Sequence, residues 1–103
     1  MQLPILHFAG YDLAVLKSIQ HAEGWVEAVD ADEGLTYDAH GEVLRFVAVD
    51  DRRVRLIETG DSEPSALYAA LRKSLEAFGL PAESSASLDE LVRVAAEHLT
   101  VAG

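Results

Sequence analysis

The 103 residues include eighteen acidic against eight basic side chains, a formal net charge of −10 with neutral histidines, and half of them are hydrophobic. That length fits one domain, and a quarter of charged residues is ordinary for a chain that buries a core. An acidic surface repels phosphate backbones and anionic lipid, which points away from nucleic acid and membrane surfaces and leaves a basic protein as the partner such a charge would attract.

There is no cysteine, so neither a disulfide framework nor a thiolate nucleophile or ligand is available. The opening MQLPILHFAG has no basic n-region and no long apolar stretch, and no apolar run approaches the length of a membrane span. A cytoplasmic protein without a signal peptide is the expectation. The acids are unevenly placed: no Lys or Arg occurs between Lys17 and Arg45, an interval holding Glu23, Glu27, Asp30, Asp32, Glu33, Asp38 and Glu42.

In chain order, Leu3 to Phe8 is a short apolar run interrupted by Pro4, which reads as an edge strand or an extended arm. Asp12 is placed to cap a helix carrying Leu13, Leu16, Ile19 and Ala22 at three-residue spacing, with Gly24 as its stop. Trp25 to Val29 fits either helix or strand. The pattern then turns to period 2. Leu35, Tyr37 and Ala39 alternate with polar neighbours, His40-Gly41 supplies a turn, Val43 to Val49 is strongly strand-like, Asp50 to Arg53 breaks it, and Val54 to Glu58 returns.

The remainder predicts two helices near 63–78 and 88–100. Asp61 or Ser62 can cap the first, with Pro64 in its opening turn, and Leu67, Ala70, Leu71, Ser74, Leu75 and Phe78 form one stripe. Gly79 and Pro81 stop it, and 81–86 is a linker of small residues. Ser87-Leu88-Asp89-Glu90 matches a capping box, after which Leu88, Leu91, Val92, Ala95, Leu99 and Ala102 make an apolar face. The expected fold is therefore a single α+β domain over 1–103. Its core is a three-stranded antiparallel meander within 35–58, with the N-terminal run as an extra edge strand and two or three helices packed on it. One sheet face, carrying either Val43, Val47 and Val49 or Leu44, Phe46 and Ala48, needs further cover from the first helix or from a second copy of the chain.

Sites of chemistry are scarce. Asp30-Ala31-Asp32-Glu33-Gly34 suggests a calcium loop, but counting from Asp30 puts Gly34, Leu35 and Gly41 where ligand, glycine and glutamate belong, so an acidic turn is the better reading. His7, His21, His40 and His98 are far apart and form no zinc spacing. Ser84, Ser85 and Ser87 lie outside any nucleophile-elbow pattern, and neither common nucleotide-binding glycine loop is present. No catalytic residue, metal or cofactor is assigned on these grounds. Arg45, Arg52, Arg53 and Arg55 cluster around the second hairpin, where Asp50, Asp51 and Glu58 are neighbours for pairing. Trp25 and Tyr37 lie inside the base-free acidic stretch, and aromatics among like charges are the composition of an interface centre. Trp25, Glu27, Asp30, Asp32, Glu33, Tyr37 and Asp38 are thus the candidate partner-binding residues, against the plainer alternatives of a core tryptophan and a solvated acidic face.

The run VEAVDADEGLTYDAHGEVLRFVAVDDRRVRLIETGDSEPSALYAALRKSLEAFG, with an acidic segment and a meander ahead of an amphipathic helix, resembles small acidic bacterial immunity proteins in layout. That resemblance implies a non-catalytic protein that neutralises a toxin by occluding a basic site, and it carries over no individual residue. The alternatives from the residues themselves are a homo-oligomeric structural or regulatory domain, a homodimer among its forms, and a small enzyme or ligand-binding domain.

Overall fold

A computed structural model describes residues 1–10 and 12–102. Its elements are β1 (Ile5–Ala9), β2 (Asp12–Leu16), α1 (Ile19–Trp25), a short 3-10 turn (Ala28–Asp30), β3 (Leu35–Tyr37), β4 (Glu42–Ala48), β5 (Val54–Ser62), α2 (Pro64–Ala77) and α3 (Leu88–Leu99). The strands form one five-stranded antiparallel sheet in the order β2-β1-β3-β4-β5. The expected α+β class and the meander over 35–58 are present, but the sheet is larger than three strands.

Both extra strands come from the N-terminal segment. Pro4 directly precedes β1, so its lack of an N–H falls outside the ladder, and β1 is an interior strand between β2 and β3 instead of an edge. Residues 13–16, expected in a helix, form β2, where Leu13, Ala14, Val15 and Leu16 are all buried. A continuous apolar run satisfies helical and extended periodicity alike. Its partner decides, and here Ile5 to Ala9 pairs with every residue of β2. The helix starts later: the Ser18 hydroxyl caps α1 by accepting the His21 N–H at 3.0 Å.

At its far end β5 runs on to Ser62, beyond the expected Glu58. The register shifts between Glu42 and Leu44, where β5 fits extra residues around Gly60, whose φ of +88° is open to glycine and costly for other residues. Asp61 and Ser62 are consequently strand residues. Glu63 occupies the cap of α2 without a side-chain bond, and Pro64 takes the first helical position. The Ser87 hydroxyl caps α3 as its sequence predicts, accepting the Glu90 N–H at 3.2 Å.

The sheet divides two cores. On one face Leu6, Phe8, Leu13, Val15 and Tyr37 meet Leu67, Leu71 and Leu75 of α2 and Leu91, Val92 and Ala95 of α3. On the other, Ile5, Leu16, Leu44, Phe46 and Leu56 meet Ala22 and Val26 of the α1 segment and Ala31 after the 3-10 turn. Each fully buried Leu or Phe contributes about 1.5–3 kcal/mol of hydrophobic free energy. The expected cover for Leu44 and Phe46 is thus α1. Val43 packs at the margin of the α2–α3 core, while Val47, Val49 and Ile57 stay 37%, 51% and 42% exposed.

Both sheet edges receive help. Val101 donates its N–H to the Val15 carbonyl at 2.9 Å along β2. On β5 the Leu56 N–H donates to the Glu23 carboxylate at 2.7 Å, so a helix side chain answers a donor of the edge strand.

Candidate protein-docking site

The stretch that links α1 to β3 carries the acids singled out above. It folds as the end of a helix, a 3-10 turn and a tight entry into β3, and that irregular path turns nearly every carboxylate outward. Trp25, Glu27, Asp30, Asp32 and Glu33 are exposed, with Trp25 at 42%, while Val26 and Ala31 anchor the segment in the core beneath α1. The sole tryptophan is therefore a surface residue at the rim of the acids and not a core residue.

Tyr37 and Asp38 do not belong to this surface. Tyr37 is 4% exposed, set edge-on to Phe8 in the α2–α3 core, and Asp38 is 1% exposed. The Asp38 carboxylate accepts N–H bonds from Gln2 at 2.8 Å and from His40 and Glu42 at 2.9 Å each, closing the β3–β4 turn and tying the N-terminal arm to it. Alternation hides this from the sequence. Asp38 lies just past β3, where the consecutive residues Thr36, Tyr37, Asp38 and Ala39 are all buried, and an aspartate that satisfies three backbone donors is stable inside.

What the acids surround is a cavity of about 400 Å³ lined by His7, Ala9, Trp25, Val26, Glu27, Asp30 and Glu33. A second cavity of about 330 Å³ shares His7, Ala9 and Trp25 and adds Asp12, Leu13, Ala14, Phe78 and Val101, a mostly apolar lining beside the acidic one. On the sheet side of the segment a third, of about 360 Å³, brings Arg45 next to Asp32 and Glu33. Half-exposed Trp25 thus divides an acidic hollow from an apolar one.

His7 joins the two and was not singled out by sequence. It is the polar residue of an otherwise apolar strand, 5% exposed, with its ring edge-on to Trp25 at 5.8 Å and to Phe46 at 5.5 Å. Nδ1 lies 2.8 Å from Thr36 Oγ1. Burial pushes the imidazole pKa below its ordinary value, so the ring is neutral at neutral pH. Gly34 makes room for it: its φ is +82°, and a Cβ there would stand 2.4 Å from the Phe8 carbonyl oxygen and 2.9 Å from His7 Cε1.

The arginine cluster is partly spent locally. Asp50 accepts N–H bonds from Arg52 at 2.9 Å and Arg53 at 2.8 Å, and pairs with the Arg53 side chain at 2.8 Å. These bonds, the Arg52 amide first and then the Arg53 side chain, hold its carboxyl below the usual carboxylate range. Glu58 meets the N-terminal amine at 3.3 Å.

Among the described residues no group of three or more His, Asp or Glu side chains closes on a point where a metal ion would sit, and no helix is long and apolar enough to cross a membrane. Comparisons with known protein families, with curated proteins and with solved structures find no match to this chain.

Proposed function

We propose that this protein is a non-catalytic binding domain that engages a basic protein through the segment from Trp25 to Glu33, most concretely a cytoplasmic bacterial immunity protein that occludes the basic active site of a toxin. The observation that carries this reading is the outward presentation of Glu27, Asp30, Asp32 and Glu33 beside a half-exposed Trp25, in a stretch without a Lys or Arg from 18 to 44. Such charges raise encounter rates with a basic surface, and an exposed aromatic beside them supplies the apolar contact that slows dissociation. The acids mimic the charge of a phosphate-bearing substrate. Neither Tyr37 nor Asp38 takes part.

The test is kinetic. A basic partner captured from the source organism is measured against native protein and against the Asp30→Asn, Asp32→Asn, Glu33→Gln variant at two salt concentrations. The expected result is slower association of the variant and a flatter salt dependence, because the Debye length contracts from about 30 Å at 0.01 M to about 10 Å at 0.1 M. Equal rates and equal salt slopes would return these acids to a solubility role.

A second reading has its own observation. The α2–α3 side of the β4–β5 hairpin leaves Val47, Val49 and Ile57 uncovered, and β5 is an edge strand. A second copy of the chain seated there would make a homodimer, and light scattering that gives the monomer mass at about 1 mM would dismiss it.

A further inference from the structure

The acidic cavity is lined by groups of different chemistry. Its lining brings together Trp25, the carboxylate residues Glu27, Asp30 and Glu33, and His7. His7 is more than nine-tenths buried and its Nδ1 is held by Thr36, which leaves Nε2 as the ring nitrogen outside that bond. In the tautomer that donates Nδ1–H to Thr36, Nε2 is a lone-pair acceptor. The carboxylates and this imidazole nitrogen all accept, and the Trp25 indole N–H is the one side-chain donor in the lining.

We propose that this cavity receives an arginine side chain of the basic partner, its guanidinium against the Trp25 ring and its N–H groups directed to the carboxylates and to His7 Nε2. The proposal rests on the reading of this segment as a docking surface and names its anchor. A compact cation fits poorly, since the carboxylates do not converge on one point. A guanidinium fits because its planar fork spreads five donors over separated acceptors and stacks on an aromatic face, which an ammonium does less well. The neutral state that burial imposes on His7 suits an acceptor beside a cation. The adjoining apolar hollow toward Phe78 gives the residue next to that arginine somewhere to lie.

The experiment uses the whole protein and a blocked Gly-Arg-Gly peptide, with a Gly-citrulline-Gly peptide as its neutral isostere. Trp25 is the chain's one tryptophan, so its fluorescence reports the site directly. A saturable change with the arginine peptide is expected, with the citrulline peptide bound about tenfold more weakly. Glu33→Gln is expected to weaken the arginine peptide about threefold. Trp25→Leu, followed by the His7 ring-proton resonances, should weaken it about three- to fivefold. Equal binding of the two peptides, or no saturable change up to about 20 mM, overturns the proposal.

Hexalysine at low salt separates this from the broader reading, with Asp32→Asn as its control, because Asp32 lies outside the cavity. If hexalysine binds native protein and binds the variant less, while arginine and citrulline do not differ, the cavity assignment falls and the docking surface stands. If hexalysine does not bind either, both fall.

Discussion

The two faces of the sheet are built to different standards. On one, two helices of fourteen and twelve residues bury a predominantly apolar layer, with Leu6, Val15, Leu67, Leu71, Leu75 and Leu91 at 0% exposure, and leave Val47, Val49 and Ile57 of the β4–β5 hairpin uncovered. On the other, a seven-residue helix and a 3-10 turn cover only part of the strands and leave His7 and Thr36 bonded to each other between Trp25 and Phe46. A long amphipathic helix excludes water along its length, whereas a short one with an irregular exit leaves gaps. The first face supplies stability. The second carries the acidic cavity lined by His7 and the outward acids of the segment from Trp25 to Glu33.

The sharpest way to break this contrast is to truncate one side chain on each face. Leu71→Ala empties a site with no exposure and should lower the unfolding free energy by about 2–5 kcal/mol. Trp25→Ala, at a half-exposed ring, should cost distinctly less in the same denaturant titration while weakening the arginine peptide as read by the His7 ring-proton resonances. If both variants lose equal stability, Trp25 is a core residue after all.

Asp38→Ala should come next, at about 1–3 kcal/mol, since it orphans the Gln2, His40 and Glu42 N–H groups. The same change at exposed Asp32 should be nearly silent by chemical denaturation. That pair tests the division of the acids into one that builds the fold and those that face outward.

The response to pH follows from His7. Its folded pKa lies below its unfolded value of about 6.5, so the unfolded chain binds a proton that the folded chain refuses. Its contribution to stability is full above about 6.5 and is lost as pH falls from there toward the folded pKa. Melting temperatures measured from pH 8 to 5 should therefore decline in the native protein and decline less in His7→Gln. Asp50, depressed in the carboxylate range, acts in the same direction but at lower pH, so the two windows separate.

The smallest effect belongs to the outward acids. Asp30→Asn, Asp32→Asn and Glu33→Gln together should leave the melting temperature unchanged or slightly raised, because self-repulsion in a chain of charge −10 is relieved. A marked loss of stability would show these carboxylates to be structural, and the contrast between the two faces would weaken accordingly.

Read as sequence, α2 and α3 are legible almost to the residue. Leu67, Leu71, Leu75, Leu91 and Ala95 recur at the helical period beside Pro64, Gly79 and the Ser87 cap, and those signals are local. The β4–β5 hairpin is legible for the same reason, through alternation and the Asp50–Arg53 break. The N-terminal segment is not. Residues 13–16 are apolar at every position, and only pairing with Ile5 to Ala9 makes them a strand. The acids of 27–33 announce a charged surface from composition alone, but which acid faces water depends on burial that no spacing encodes. Asp38 turns inward because the Gln2 amide, distant in sequence, arrives beside it. His7 gains its place under Trp25 when β1 becomes interior and Gly34 leaves room for its ring. Local periodicity writes helices and hairpins into the chain, whereas a site built from residues 7, 25, 30 and 33 exists only once non-local strand pairing has closed the sheet beneath them.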